Sequence, residues 1–202
     1  ITAAGGEAIK VPADISDPEQ VTHLVSVAEQ TFGDIDILVA NAAYSERTPW
    51  HEIELAQWDR TMGVNLRGTF LCARAVYPSM LRSGSGSIIT LTSVTVDLGM
   101  AGFLDYVSSK AGIIGLTRAL AREIGRDGIR VNTVMPGAIR TEQEVELQFD
   151  ERELAALSAE RQSIPRRGYA DDLTGTFVYL ASDDSTFVTG QIITVDGGWI
   201  HH

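Results

Sequence analysis

Tyr106 and Lys110 stand four residues apart in a segment with a helical pattern. Ser93 precedes Tyr106 by thirteen positions, at the end of an apolar run, residues 87–92. A four-residue step puts two side chains on one helix face, one turn apart. A phenol beside a fixed ammonium is an acid–base device. The free phenol titrates near ~10, and a nearby cation favours the phenolate and lowers that value. Such a tyrosine can exchange a proton with an alcohol or carbonyl near neutral pH. A serine hydroxyl at a strand end could hydrogen-bond the same oxygen. Tyr-x-x-x-Lys alone is a short pattern that chance also supplies. The ordered set carries the chemistry: strand-end Ser, a loop, then Tyr and Lys on one helix.

The elements that must position these groups alternate between strand and helix. Residues 8–13, 35–40, 87–92, 129–135 and 191–195 read as strands, and residues 1–7 as the tail of a helix closing at Gly5-Gly6. Asp17-Pro18 opens a helix as N-cap and first helical residue. Val21, Leu24, Val25, Ala28 and Phe32 keep its period, and Gly33 ends it. Helical patterns also run from residues 50–55 through 81, over 105–126 with Gly128 as a stop, and over 169–182. The acidic stretch 141–160 is helix-prone, with a solvated face. Alternation of this kind predicts an α/β chain, a doubly wound parallel sheet of Rossmann type in a single domain spanning residues 1–202. Four strands end in Asp14, Asn41, Ser93 and Pro136-Gly137. Ligands bind at the carboxyl ends of parallel strands, so these ends are expected along one crevice facing Tyr106 and Lys110.

In type, order and spacing, Ser93, Tyr106 and Lys110 resemble the catalytic set of the short-chain dehydrogenase/reductase family, and the resemblance extends over essentially the whole chain. It implies further roles. Asp14 matches the residue that accepts a bond from the cofactor's adenine amine, with Ile15 beside the ring. Asn41-Ala42-Ala43 resembles the family's Asn-Asn-Ala-Gly segment, with a Cβ at Ala43 where the family has none. Asn65 matches an Asn whose main chain holds a water beside the lysine. It sits in Gly63-Val64-Asn65-Leu66-Arg67-Gly68, where Asn and Gly are poor helix-interior residues and mark a kink, a site or close packing. Pro136, Gly137, Ile139 and Thr141 match the segment that holds the nicotinamide carboxamide. The resemblance makes residues 141–160 a lid over the substrate and puts the end of the chain, Asp196-Gly197-Gly198, at a subunit interface. It implies NAD or NADP as cofactor and a homotetramer. The apolar positions of residues 70–81 and 113–124 would then be covered by a second subunit.

Composition bounds the partners. The chain has 202 residues, 44% of them hydrophobic, with a formal net charge of −11. This balance argues against nucleic acid as the main partner. No apolar run approaches the ~18 residues of a membrane span, and residues 1–10 lack a basic start and an apolar block. The single cysteine, Cys72, permits no intrachain disulfide and suits a reducing cytoplasm. It reads as a small core residue. The four histidines, His23, His51, His201 and His202, have no metal-ligand spacing, so no metal is expected.

The family opens with a strand, a Thr-Gly-x-x-x-Gly-x-Gly turn and a helix that cradle the pyrophosphate. Nothing in the 202 residues matches that unit, since Gly5-Gly6 precedes a strand. The expectation is an N-terminally incomplete domain, lacking the two strands between those at residues 8–13 and 35–40. The residue that selects NAD over NADP goes with them. Three functions are weighed. One is an oxidoreductase moving hydride between nicotinamide and a secondary alcohol or carbonyl, such as a sugar, polyol or other small alcohol. The second is a 3-oxoacyl-(acyl-carrier-protein) reductase. Asp127 weakens it, because such reductases commonly carry Arg just before the glycine ending the Tyr-Lys helix, although Arg126 is adjacent. The third is a non-catalytic scaffold or binding module, supported by the absent turn and opposed by the complete Ser-Tyr-Lys-Asn set.

Overall fold

The computed structural model describes residues 1–142 and 150–201. Its elements are α1 (Pro18–Phe32), β1 (Ile37–Ala40), α2 (Leu55–Met62), α3 (Thr69–Ser83), β2 (Gly86–Leu91), α4 (Thr95–Leu98), α5 (Leu104–Ile124), β3 (Ile129–Pro136), α6 (Glu151–Arg161), α7 (Ala170–Ala181) and β4 (Ile192–Val195). The four strands form one parallel sheet in the order β1-β2-β3-β4. Helices cover both faces, as expected for a doubly wound sheet.

Strand alternation sorts the side chains of β2 between the two faces. On one face Ile88 joins Ala73, Val76, Met80, Ala121, Ile129 and Val131 from α3, α5 and β3. On the other, Ile89 packs with Val134 and Leu180, which brings in α7, and Ser87 Oγ donates to the Leu180 carbonyl at 2.8 Å. The α5 face also carries hydroxyls. Thr90 Oγ1 lies 2.8 Å from Thr117 Oγ1, and Thr92 Oγ1 donates to the Lys110 carbonyl at 2.9 Å. These buried bonds fix the height of α5 on the sheet, and with it the placing of Tyr106 and Lys110 over the strand ends.

The α1 signals act as read: Asp17 accepts from the amides of Glu19 at 2.8 Å and Gln20 at 3.4 Å, and Gly33 closes the helix at φ 87. Three expectations need correction. Residues 8–13 form no strand. A strand exists through ladder bonds to a neighbour, and among the described residues no backbone lies alongside this stretch to make them. One edge of the sheet is β1, where Ile37 and Val39 remain 45% and 44% exposed. The long helix through residue 81 is also interrupted. Between α2 and α3 the chain makes a π-helical turn, Gly63–Gly68, centred on Asn65. The predicted helix tail in residues 1–7 is a 3-10 turn, Thr2–Ala4, closed by Gly5. Of the acidic stretch 141–160, residues 143–149 lie outside the described residues, and the rest contributes most of α6.

Candidate active site

Ser93 leaves the end of β2 with its strand already tied down. The Thr92 amide donates to Val134 O at 2.9 Å and the Val94 amide to Pro136 O at 3.2 Å. Ser93 Oγ accepts from the amide of Thr95 at 3.2 Å and from Thr95 Oγ1 at 2.9 Å. A hydroxyl has two acceptor sites and one donor. With both acceptor sites taken by Thr95, Ser93 has its proton left to offer toward the phenol of Tyr106, whose pKa it acts to lower. The short helix α4, which supplies Thr95, was not visible in the sequence pattern.

Tyr106 sits in the first turn of α5. Its amide, one of the unpaired donors of a helix start, donates to Asp105 Oδ1 at 2.9 Å. Asp105 is fully buried; its Oδ2 accepts from Thr61 Oγ1 at 2.7 Å and from Gln57 Nε2 at 3.1 Å. A carboxylate here also meets the positive end of the helix dipole. The start of α5 is thereby bolted to α2, and Phe103 packs edge-on against the Tyr106 ring at 6.3 Å.

Lys110 lies one turn on, 4% exposed, and Nζ donates to Leu91 O at 2.9 Å. Burial pulls its pKa from 10.5 down to about 8. Nζ stands 5.7 Å from the centre of the Tyr106 ring. The expected lowering of the tyrosine's pKa by this cation does not hold in the folded chain itself. Burial holds Tyr106 above its ordinary value, with the Ser93 bond acting the other way. The physical reason is placement, since the ammonium sits over the ring and is itself desolvated.

Asn65 joins the two halves of the site. Its Oδ1 accepts from the Tyr44 amide at 2.7 Å, and Nδ2 donates to Tyr44 O at 2.9 Å and to Ser109 Oγ at 2.9 Å. Asn65 is 1% exposed and fully satisfied. The π turn makes this possible by rotating the side chain inward, a recurring use of such bulges. Close packing helps: a Cβ on Gly68 would lie 2.9 Å from Ile15, and one on Gly112 would lie 2.8 Å from Leu66. Asn65 thus ties the segment after β1 to the helix of Tyr106 and Lys110, through side-chain bonds that the sequence did not foretell.

A cavity of about 530 Å³ opens over these groups, lined in part by Ser93, Tyr106, Gly137, Ile139 and Thr141. Five predicted residues therefore share one hollow, with Lys110 buried beside Tyr106 and Pro136 closing β3. Gly137 is required there: a Cβ would come 2.6 Å from the Asp196 Cα. Asn41, Ala42 and Ala43 are exposed after β1, and Tyr44, next in line, is held by Asn65. Asp14 is exposed and bonds Ser16, while Ile15 packs inward on Val21, Leu71 and Cys72. Neither lines the cavity. Sequence reasoning missed Asp105, Ser109, Thr95, Arg47 and Trp199. An acid in a helix's first turn marked Asp105, and the aromatic after Gly197-Gly198 marked Trp199. Among the described residues no three His, Cys, Asp or Glu side chains converge on a metal site, and no helix is long and apolar enough to cross a membrane.

These residues suit a nicotinamide cofactor: parallel strand ends, backbone exposed at Gly137, and a buried ammonium beside a phenol. Comparison with known proteins agrees. A family model described as enoyl-(acyl carrier protein) reductase matches residues 1–200. A (2S)-[(R)-hydroxy(phenyl)methyl]succinyl-CoA dehydrogenase subunit from Thauera aromatica is 42% identical over 197 residues, 98% of this chain and 78% of that protein. A 3-oxoacyl-[acyl-carrier-protein] reductase from Staphylococcus epidermidis is 37% identical, covering 98% of this chain and 80% of its own length. A crystal structure from Beutenbergia cavernae with bound NADP at low occupancy superposes with a TM-score of 0.90 at 35% identity, over 98% of this chain and 79% of that one. The relatives are enzymes, which sets aside the scaffold alternative. The chain belongs to the short-chain dehydrogenase/reductase family, oxidoreductases that use NAD or NADP on alcohol/carbonyl pairs.

Proposed function

We propose that Tyr106 is the general acid–base of a dehydrogenase acting on a small secondary alcohol, a sugar or polyol among them, or on the matching ketone. The observation that carries this reading is the convergence of Ser93 and Tyr106 on one cavity, with Lys110 buried behind the phenol. The nicotinamide supplies hydride chemistry when bound. The protein's own part is proton handling. Ser93 donates to the substrate oxygen while Tyr106 takes the hydroxyl proton in oxidation or returns it in reduction. Lys110 has two N–H groups beyond the Leu91 bond for the phenolate and the cofactor's ribose. Asn65 supports the relay by holding the Tyr44 segment against α5. Asp14, Ile15, Asn41, Ala42, Ala43, Pro136, Gly137, Ile139 and Thr141 form the cofactor's bed. A panel of secondary alcohols offered with NAD and with NADP tests the reading. Appearance of reduced nicotinamide with at least one is expected, and inertness across sugars, polyols and simple alcohols would reject it.

The assembly we infer is a homotetramer in the cytoplasm. A surface groove lined by Met62, Leu66, Phe70 and Leu116 leaves apolar side chains of the π turn, α3 and α5 uncovered, with Phe70 41% exposed. A second subunit packed about a two-fold axis would bury it. Light scattering decides, and a monomer at micromolar concentration would count against it. A carrier-protein reductase is the second reading. It is favoured by a shallow groove that gathers Arg118, Arg122 and Arg126 on an otherwise acidic molecule.

A further inference from the structure

The cavity that holds Ser93 and Tyr106 holds one cation. Among the described residues that line it, Arg47 is the only Lys, Arg or His, and much of the remaining wall is apolar, with Val94, Met100, Phe103 and Trp199. The arginine is placed by its surroundings. Gly102, at φ 82, lies against its side chain so closely that a Cβ there would meet Arg47 Cγ at 3.3 Å and Nε at 3.4 Å. The Thr48 amide donates to Gly102 O at 2.9 Å, which pins the loop bearing Arg47 to the loop bearing Gly102. Among the described residues the ion pairs run between other groups. The neighbouring carboxylate, Glu46, accepts from Tyr44 Oη at 2.5 Å.

A chain with net charge −11 has carboxylates in surplus, yet among the described residues this exposed guanidinium at the cavity's rim makes no ion pair, and Glu46 in the same wall is bonded by Tyr44 instead. A guanidinium fork fits a carboxylate through two parallel hydrogen bonds. We propose that Arg47 binds a carboxylate of the substrate, so that the alcohol oxidised at Tyr106 belongs to a hydroxy acid. This assignment rests on the reading of Ser93 and Tyr106 as the reaction centre. It narrows the substrate from small alcohols in general to acids that carry a secondary hydroxyl. Neutral sugars and polyols become the poorer substrates.

The test uses matched pairs of short hydroxy acids and their methyl esters, together with sugar acids and the parent sugars, with NAD and with NADP. The quantity read is the ratio of kcat/KM for acid over neutral partner. In the natural protein the acid is favoured, and Arg47→Ala lowers the ratio about ten- to hundredfold, the range of a lost charged hydrogen bond. Arg47→Lys recovers part of it. Gly102→Ala, which displaces the arginine without removing it, lowers the ratio in the same direction. Calorimetric titration with a short carboxylate that lacks the hydroxyl gives a second readout: it binds the natural protein with its cofactor and is lost in Arg47→Ala. Equal turnover of acids and esters, or a ratio that Arg47→Ala leaves unchanged, overturns the assignment. Turnover confined to neutral alcohols and abolished by Tyr106→Phe overturns it while keeping the reaction centre. Absence of any Tyr106-dependent turnover overturns both.

Discussion

Lys110→Met removes the most costly charge in the core of the site, and the account predicts a dead enzyme with a firmer fold. Burial takes the lysine from 10.5 to about 8, which at about 1.4 kcal/mol per pH unit corresponds to ~3 kcal/mol of native-state penalty. At 4% exposure little solvent screening reduces that figure. Methionine fills nearly the same volume without charge. Against this gain stands the Nζ bond to Leu91 O, whose loss leaves a half-buried carbonyl short of a partner at about 1–3 kcal/mol. The net expectation near neutral pH is a variant roughly 1 kcal/mol more stable. The sign with pH follows from proton counting. Below the folded value of about 8 the lysine is charged in both states and its burial penalty is complete. Between about 8 and 10.5 the unfolded chain keeps a proton that the folded chain has shed, so natural-protein stability gains on the variant as pH rises. Urea unfolding of both proteins in steps from neutral to strongly alkaline buffer measures the difference. A gap that stays constant across that window, or a variant weaker by more than ~2 kcal/mol at neutral pH, would refute the reasoning.

Other perturbations follow from the same geometry. Asp105→Ala strips the partners from Tyr106 N, Thr61 Oγ1 and Gln57 Nε2 at a fully buried position. It should cost about 2–4 kcal/mol in chemical denaturation, and Asp105→Asn should cost less. Gly137→Ala forces a Cβ to 2.6 Å from the Asp196 Cα. It should destabilise by ~1–3 kcal/mol and raise the KM for the nicotinamide cofactor more than that for the alcohol. A thermal melt and a cofactor titration check the two halves of that statement.

Much of the candidate site was legible because the placing of its groups depends on spacing within single elements. Tyr106 and Lys110 share a face of α5 at any position of that helix, and the polar strand-end residues Ser93, Asn41 and Pro136-Gly137 announce themselves where apolar runs stop. What escaped depends on contacts between elements. Nothing local says that Asn65 Oδ1 and Nδ2 clamp Tyr44, or that Asp105 reaches Thr61 across to α2. The Asn and Gly residues at 63–68 did signal a break in the helix, though not that it would be a π turn. Residues 8–13 show the opposite failure. Their pattern suits a strand, yet pattern is half of what a strand needs, and the ladder partner is the other half. The tyrosine's pKa was misread because spacing gives proximity to Lys110 and says nothing of the burial that acts on both groups.

The central claim is that Tyr106 moves the substrate's proton. Tyr106→Phe keeps the ring packed against Phe103 and deletes only the hydroxyl that Ser93 contacts. Steady-state oxidation of the best alcohol from the panel, measured beside cofactor affinity for both proteins, isolates that loss. The account predicts kcat reduced about 10²–10⁴-fold with cofactor binding essentially retained. A phenylalanine variant that turns over within about a factor of two of the natural protein, against the loss expected of a general acid–base, would contradict it.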